Sequence, residues 1–588
     1  MAFPFSSKNG SEETDAQNSD DSIIDSGSLK FTHEAGENSS LPTYQEASGA
    51  PVEVKSPLGY SVGPITIISL NLSKMIGTGV FSTPSSVMKG AGSVGLAFIY
   101  WTIGYLMAFS NLTVYLEFAS YFPSRSGSEV VYFEQSFPRP KYFFPTVFAM
   151  QTVVLSFSSS NAVGWTMKTV LAQYLYKLAD STGTDWEYKG VAMASYTIAV
   201  LCLAFNTKWS LRFANAISIV KFVTLVFIGI TGLVVLGGNT RVQDPTVNFK
   251  NAFSGSSKAS PYGATNALVK VMFSYAGYEN AFNVVNEVKN PVKTLRWSAP
   301  VSLTITAALY ILANVAYFSA ATTDEILNSK NTAASVFFEK VFGSGGASRA
   351  LNFLICLSAF GNLLAVLIGQ SRMIRECGRQ GVLPWTNFWT STRPFGTPLG
   401  PYFVKWALTI IMIIAPPFGD AFNFVVDLAL YPTSFFTFIL GIGLLVTRHR
   451  RRKLGFPRAS YRAWDVVVWF SIISNLYMLI MPWYPPDTGA DGGDVSFWYA
   501  TYCAAGLGII ALCGVYYYVW VKVLPKIGKY ELRQTIIDLD GGGSTHKLIR
   551  VPRGELSRWD AEHDATGRLR HRTTYESKSE GTYITTQS

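Results

Sequence analysis

The stretch Met75-Ile76-Gly77-Thr78-Gly79-Val80-Phe81, followed by Pro84, breaks the pattern of the segment that holds it. That segment, residues 62–88, is apolar and long enough for the roughly 20 residues a membrane-spanning helix needs. Glycines near its middle let the helix unwind, and unwinding frees backbone groups in a medium without water. Unwound backbone at membrane depth is tolerated where it lines a cavity. N–H groups at the start of a half-helix suit a carboxylate, and free C=O groups suit an ammonium or a cation. A zwitterionic amino acid presents both.

A second stretch repeats the form five spans later. Phe273-Ser274-Tyr275-Ala276-Gly277-Tyr278 is followed by the polar pair Glu279 and Asn280. Either glycine cluster alone also fits close helix packing through small residues. Two breaks in corresponding places point instead to a transporter built from inverted repeats of five helices. The third span contains Ser156 through Asn161, with Ser160 among them, and the eighth contains Ser358-Ala359-Phe360-Gly361-Asn362. These matching polar runs line one cavity or form hydrogen bonds between helices.

The rest of the chain agrees with a membrane setting. Of 588 residues, 48% are hydrophobic, 14% aromatic and only 15% charged, against roughly 25% charged in a soluble domain. Residues 1–60 carry 10 acids and 3 bases, and residues 526–588 carry 9 acids and 11 bases. The body between them is therefore too apolar for a soluble globule, a nucleic-acid binder or a disordered scaffold. Twelve apolar stretches fall near 62–88, 93–120, 143–177, 190–206, 213–237, 263–284, 298–321, 347–371, 401–416, 421–447, 465–484 and 498–524. The fold class expected is an all-α polytopic membrane protein with twelve transmembrane helices, a 5+5 inverted-repeat core, and broken helices 1 and 6. Residues 1–60 read as a disordered cytoplasmic tail, 61–525 as the transporter domain, and 526–588 as a cytoplasmic C-terminal tail.

Orientation follows from the loops. With the N-terminus inside, inner loops hold 19 Lys and Arg and outer loops hold 9. The cluster Arg448, Arg450, Arg451, Arg452 and Lys453 is the strongest anchor, a topology determinant rather than a nuclear signal. The net charge of +10 is therefore mostly topology, not affinity for nucleic acid. The cysteines have no metal-ligand spacing and read as buried free thiols. Of five histidines only His449 lies in the body, so no histidine relay crosses the membrane. There is no Walker-type loop and no nucleophile–base or metal constellation, so neither an ATP motor, an enzyme nor a cofactor is expected.

The motif Ile76 to Phe81 resembles the first-helix signature of the amino acid–polyamine–organocation transporters. Glu117 through Pro123-Ser124-Arg125-Ser126-Gly127, with Tyr132, resembles that family's loop between helices 2 and 3. Phe273 to Tyr278, continuing to Asn286-Glu287-Val288-Lys289-Asn290-Pro291, is similar to its sixth helix and the loop after it. Ser371-Arg372 and Gly378-Arg379 through Leu383-Pro384 resemble the end of its eighth helix. Residues 58–525 are covered in order, and the likeness is greatest to the L-type branch and its fungal high-affinity methionine permeases.

The resemblance implies a set of roles. The substrate carboxylate is expected at the amides of Thr78 and Gly79, beside Gly77. Its ammonium is expected at carbonyls near Met75 and Ile76 and at those of Phe273 and Ala276. Phe273 is expected to close over the substrate, while Ser160, Ser274, Tyr275, Tyr278 and Asn362 are candidates for the side-chain pocket. The implied activity is secondary active import of methionine, or cysteine, across the plasma membrane, coupled to protons. A broad neutral permease or exchanger, and a sensor that binds without transport, are the alternatives. The outer loop at 177–190 has no cysteine, so the disulfide-linked heavy chain of animal L-type transporters is not expected.

A charge within a spanning segment is a functional hypothesis by default. Lys221 in the fifth span either snorkels to the interface or, as the resemblance implies, takes the place of a structural sodium beside broken helix 1 and exchanges a proton. Glu279 departs from the family, where an uncharged amide is usual; it makes an ion pair or carries the proton. Asp427 is a weaker candidate of the same kind, and Glu117 and Glu287 read as gate or topology pairs. In the N-terminal tail, Leu41-Pro42-Thr43-Tyr44 is a proline–tyrosine motif of the kind read by WW domains of ubiquitin ligases. Pro42 and Tyr44 are its regulatory residues, with Lys8 and Lys30 as acceptors. The C-terminal tail docks on the cytoplasmic face or remains disordered.

Overall fold

A computed structural model describes residues 31–34, 43–46 and 49–569, except 54, 78, 156–171, 173–174, 177–180, 182, 239, 330–332, 344, 415–420, 488, 490–492, 494, 496, 540–542 and 565. The first short strands, β1 (Phe31–Glu34) and β2 (Thr43–Glu46), pair antiparallel. The first apolar stretch is divided into α1 (Pro64–Met75), α2 (Gly79–Ser82) and α3 (Pro84–Ala91). Then follow α4 (Val94–Tyr121), α5 (Glu129–Ser136), α6 (Phe143–Val154), α7 (Asp185–Phe205) and α8 (Thr207–Leu236). The second half holds α9 (Pro261–Tyr275), α10 (Pro291–Ala320), α11 (Gly346–Arg379) and α12 (Leu399–Ile414). It ends with α13 (Ala421–Lys453), α14 (Asp465–Ile480) and α15 (Thr501–Tyr518), then a hairpin of β3 (Tyr530–Leu539) and β4 (Gly543–Pro552).

Among the described residues, nine helices are long and apolar enough to cross a membrane, and α6 and α12 are shorter apolar helices. The polarity of α8 shows how such a helix is ordered. Ile219, Phe222, Val223 and Ile230 are exposed, while Ser218, Lys221 and Thr224 on the opposite face are buried. Apolar side chains outside and polar ones inside invert the soluble pattern and suit a lipid solvent.

Helix 1 is broken where the sequence places the break. The helical bonds of α1 end at Met75, Ile76 and Gly77 are bends, and helix resumes at Gly79. The sixth stretch breaks in the same way: α9 stops at Tyr275 and 3₁₀ geometry begins at Asn280. Gly277 between them has φ +136°, a conformation that side chains rarely adopt. Side chains take up part of the freed backbone. Asn71 of α1 donates to Tyr278 O (3.1 Å) and accepts from Ala281 N (3.0 Å), which fixes one break to the other. Helix α1 packs against α8, α10 and α11, and α9 packs against α3, α4 and α13, so both breaks lie inside the bundle.

Two expectations need correction. The chain is not purely α-helical, because both tails contribute antiparallel hairpins. Nor does the N-terminal tail stay free as far as residue 60. Gln45, Glu46, Ala50, Val52 and Glu53 are buried, because their polar groups find arginine and amide partners on the helical body. Of the cysteines, Cys356, Cys377, Cys503 and Cys513 are buried and Cys202 is exposed.

Candidate functional site

The two breaks face each other across a cavity of about 200 Å³, small beside the roughly 300–1,000 Å³ of drug-sized sites. Met75, Gly77, Gly79, Phe273, Ser274, Ala276, Tyr278, Glu279 and Asn362 of the expected residues line it. Gly79 is needed for the approach of the two halves: a Cβ there would stand 2.7 Å from Ser274 Oγ and 3.0 Å from Ser274 Cα. Thr78 and Ser160 lie outside the described residues. Tyr275 is not on the cavity; it is fully buried and its hydroxyl donates to Trp101 O (3.2 Å). Ile76 also turns away, with its carbonyl toward α8 and α11.

The carbonyls at the first break are already occupied. Met75 O accepts from Gly77 N (2.7 Å) and from the Tyr310 hydroxyl (2.5 Å). Ile76 O accepts from Lys221 Nζ (2.8 Å) and Ser358 Oγ (3.4 Å). A carbonyl has two lone pairs, so these two are filled by the protein's own donors. Lys221 Nζ also reaches Ser73 O (2.8 Å). Its ammonium thus sits among carbonyls released by the break, buried and far from a snorkelling position.

Glu279 forms an ion pair. Lys74 Nζ donates to Glu279 Oε1 at 2.5 Å, and Gly277 N donates to its other oxygen at 2.9 Å. Both side chains line the cavity, so the pair spans from the end of α1 to the second break. Asp427 is paired with Lys270 at 2.7 Å, Glu287 with Arg372 at 3.0 Å, and Glu117 with Arg448 at 2.5 Å.

Sequence reasoning missed several residues here. Lys74, Lys270 and Lys405 are cations within apolar stretches, and the rule that singled out Lys221 would have found them. Lys405 is buried and donates to Gln370, which lines the cavity. Asn111 and Asn475 were similarly visible as polar residues in apolar spans; Asn475 Nδ2 donates to Asn111 Oδ1 (2.8 Å) at the cavity wall. Tyr310 had no such signal, because a tyrosine in an apolar helix is ordinary.

The end of the molecule bearing Arg448 to Lys453 holds a buried charge network. Arg125 meets Glu134 (3.3 Å) and Glu376 (3.2 Å), and Arg379 meets Glu376 (2.7 Å). Both tails join it. Glu53 takes Arg375 (2.9 Å), Arg379 (3.4 Å) and Asn286 Nδ2 (3.0 Å). Burial alone would raise the Glu53 carboxyl, but the two guanidinium groups outweigh it and hold it below its ordinary value. Burial carries Glu46 up to about 7 despite Arg450 and Arg139, and Glu134 up to about 7 despite Arg125. His546 on β4 is pushed down to about 3, first by burial and then by Arg125, Arg379 and Lys141. Tyr44 stacks on Phe456 (4.6 Å between ring centres), and its carbonyl accepts from Arg451 (3.2 Å). Pro42, Lys8 and Lys30 lie outside the described residues.

Residues 62–511 match the family described as amino acid permease. The chain is 36% identical over 505 residues to the high-affinity methionine permease of Saccharomyces cerevisiae, covering 86% of each protein. It is 28% identical over 504 residues to that yeast's low-affinity methionine permease, covering 84% of this chain and 89% of the relative. It is 27% identical over 376 residues to the human cystine/glutamate transporter, covering 64% and 72%. The matched stretch runs from the first broken helix into the last long apolar one, and the chain belongs to the amino acid permease family, whose members are membrane transporters and not enzymes.

Proposed function

We propose that this permease imports methionine across the plasma membrane by alternating access coupled to protons. The observation that carries the reading is the pair of facing breaks with one small cavity between them. In this reading the substrate carboxylate meets the amides of Thr78 and Gly79. Because the Met75 and Ile76 carbonyls are already filled, the ammonium goes to the carbonyls of Phe273 and Ala276. Met272, Leu155, Val366 and Phe436 on the cavity wall suit a flexible thioether. The names of the two yeast relatives favour the same substrate.

The scaffold we propose has twelve spans, with two inverted repeats of five forming its core and both termini in the cytoplasm. The basic end is then the inner one. Lys221 supplies the cation that otherwise would be sodium, and its position among the carbonyls of the break supports a role in coupling. The Lys74–Glu279 pair is the second proton-linked candidate, since protonating either partner's site changes the charge at the cavity floor. Tyr44, with Pro42, is a site for a ubiquitin-ligase adaptor, and its stacking on Phe456 means that reading it requires release of β2.

Uptake of labelled methionine by purified protein in liposomes tests the proposal, with each other amino acid as competitor and with or without a proton gradient. Methionine uptake driven by the gradient and resistant to most competitors is expected. Competition by many neutral amino acids would make it a broad permease; uptake insensitive to the gradient would remove proton coupling. Binding with no uptake would make it a sensor.

A further inference from the structure

We infer that Lys270 and Asp427 form the outer gate of the transport path, a buried charge pair that must separate and wet before substrate can enter from outside. Helix α9 enters from the outer loop at 238–262 and ends at the second break, and Lys270 lies two and three residues before Met272 and Phe273 of the cavity wall. Helix α13 runs the same way along the cavity, from the outer loop at 417–420 to the inner arginine cluster. Asp427 lies three residues before Leu430, which also lines the cavity. Both charges therefore stand about one helical turn outward of the cavity, and they join the two helices across its entrance at 2.7 Å.

Their surroundings make the pair a two-state device rather than a surface bridge. The side chains are 1% and 7% exposed. Met107, Leu268, Val269, Met272, Leu430 and Met478, from α4, α9, α13 and α14, form a separate small apolar cluster on the same helices, and Tyr502 and Cys503 of α15 lie within electrostatic reach of Asp427. Dry, the charges are held together, because pulling a buried ion pair apart without water forfeits its attraction with no hydration in return. Once water enters between α9 and α13, each ion gains its own hydration and the attraction weakens. The closed state is thus a dry pair and the open state two hydrated ions. The ion pairs Arg372–Glu287 and Arg375–Glu53 lie at the opposite, inner end. The inference takes its purpose from the transport reading, but its test does not depend on transport.

The test places a reporter cysteine at Val269, buried in the apolar cluster and absent from the cavity wall, in the full-length protein reconstituted in liposomes. A membrane-impermeant maleimide is applied from outside, and labelling is resolved by peptide so that exposed Cys202 is counted apart. Neutralising either charge, as Asp427→Asn or Lys270→Met, is expected to raise the labelling rate at residue 269 by about tenfold, through a shifted open population. The exchange Lys270→Asp with Asp427→Lys is expected to bring the rate back to within about threefold of the reporter alone. Equal labelling in all variants overturns the gate. So does an exchanged pair as reactive as the single variants, or raised labelling that comes with loss of the monodisperse elution peak. If the unaltered chain fails to take up methionine while labelling behaves as stated, the substrate reading falls and the gate stands.

Discussion

Tyr310→Phe is the most informative single change, because one hydroxyl joins both broken helices. Tyr310 is fully buried on α10, and its oxygen lies 2.5 Å from Met75 O and 2.9 Å from Ser274 O. A hydroxyl carries one proton, so it donates to one carbonyl at a time and draws the two half-helices toward a shared centre. Phenylalanine removes that donor and keeps the ring, whose contacts with Trp101 (5.4 Å between ring centres) and Tyr275 (5.3 Å) are unchanged. Met75 O still accepts from Gly77 N, so the loss is one net hydrogen bond and part of the cost of a buried acceptor. That is about 1–2 kcal/mol, a factor of roughly 5–30 in an equilibrium. Since the carbonyls involved frame the cavity, the loss falls on substrate binding: KM for methionine rises by about that factor while thermal stability drops by less than about 4 °C. Initial uptake rates in liposomes, with melting followed by intrinsic fluorescence, measure both. A KM within twofold of the parent, or a melting drop far larger than stated, refutes the reasoning.

Four further outcomes follow from the same structure. Lys221→Met removes a charged donor from Ser73 O and Ile76 O and should lower uptake by about tenfold or more and flatten its dependence on external pH; wild-type uptake with an unchanged pH profile would exclude the coupling role. Gly79→Ala forces a methyl group against Ser274 and should abolish most uptake, whereas Gly508→Ala, where a Cβ meets nothing within 4 Å, should leave it intact. The two tails should respond oppositely to pH. Docked His546 has a lowered pKa, so β4 docking is complete above about 6.5 and weakens as pH falls toward 3, by about tenfold at pH 5.5. Docked Glu46 has a raised pKa, so β2 docking is complete below about 4.5 and is lost as pH rises through 7. Protease cleavage of the hairpin that is equal at pH 7.5 and 5.5, or an acid response that survives His546→Gln, contradicts the first half. Tyr44→Ala should abolish nutrient-induced internalisation, and unchanged internalisation removes the adaptor site.

Much of the membrane fold was legible because lipid imposes a simple rule. A backbone in hydrocarbon must satisfy itself, so long apolar runs are helices and mid-span glycines are exceptions that need a reason. Gly77, Gly79 and Gly277 were therefore visible as breaks from the sequence alone. Side-chain direction was not. Tyr275 and Phe273 are two residues apart, and only the helical phase at the break sends one to the cavity and the other to Trp101. Nor could local sequence show pairings between distant positions: Lys74 with Glu279, or Lys270 with Asp427, are separated by more than 150 residues. The N-terminal tail misled for a related reason. Glu46 and Glu53 look like parts of a solvated acidic segment until their arginine partners, supplied by α11 and α13, are known.

The guanidinium of Arg379 donates to Pro51 O (2.7 Å), to Ser544 O (2.7 Å) and to Glu376. One side chain thus ties α11 to the segment before it and to the hairpin after it. Shortening either terminus past these contacts would remove a carbonyl acceptor from a buried cation. Tail deletions made to simplify expression should therefore alter this face of the permease, while a tag joined after residue 569 leaves the knot untouched.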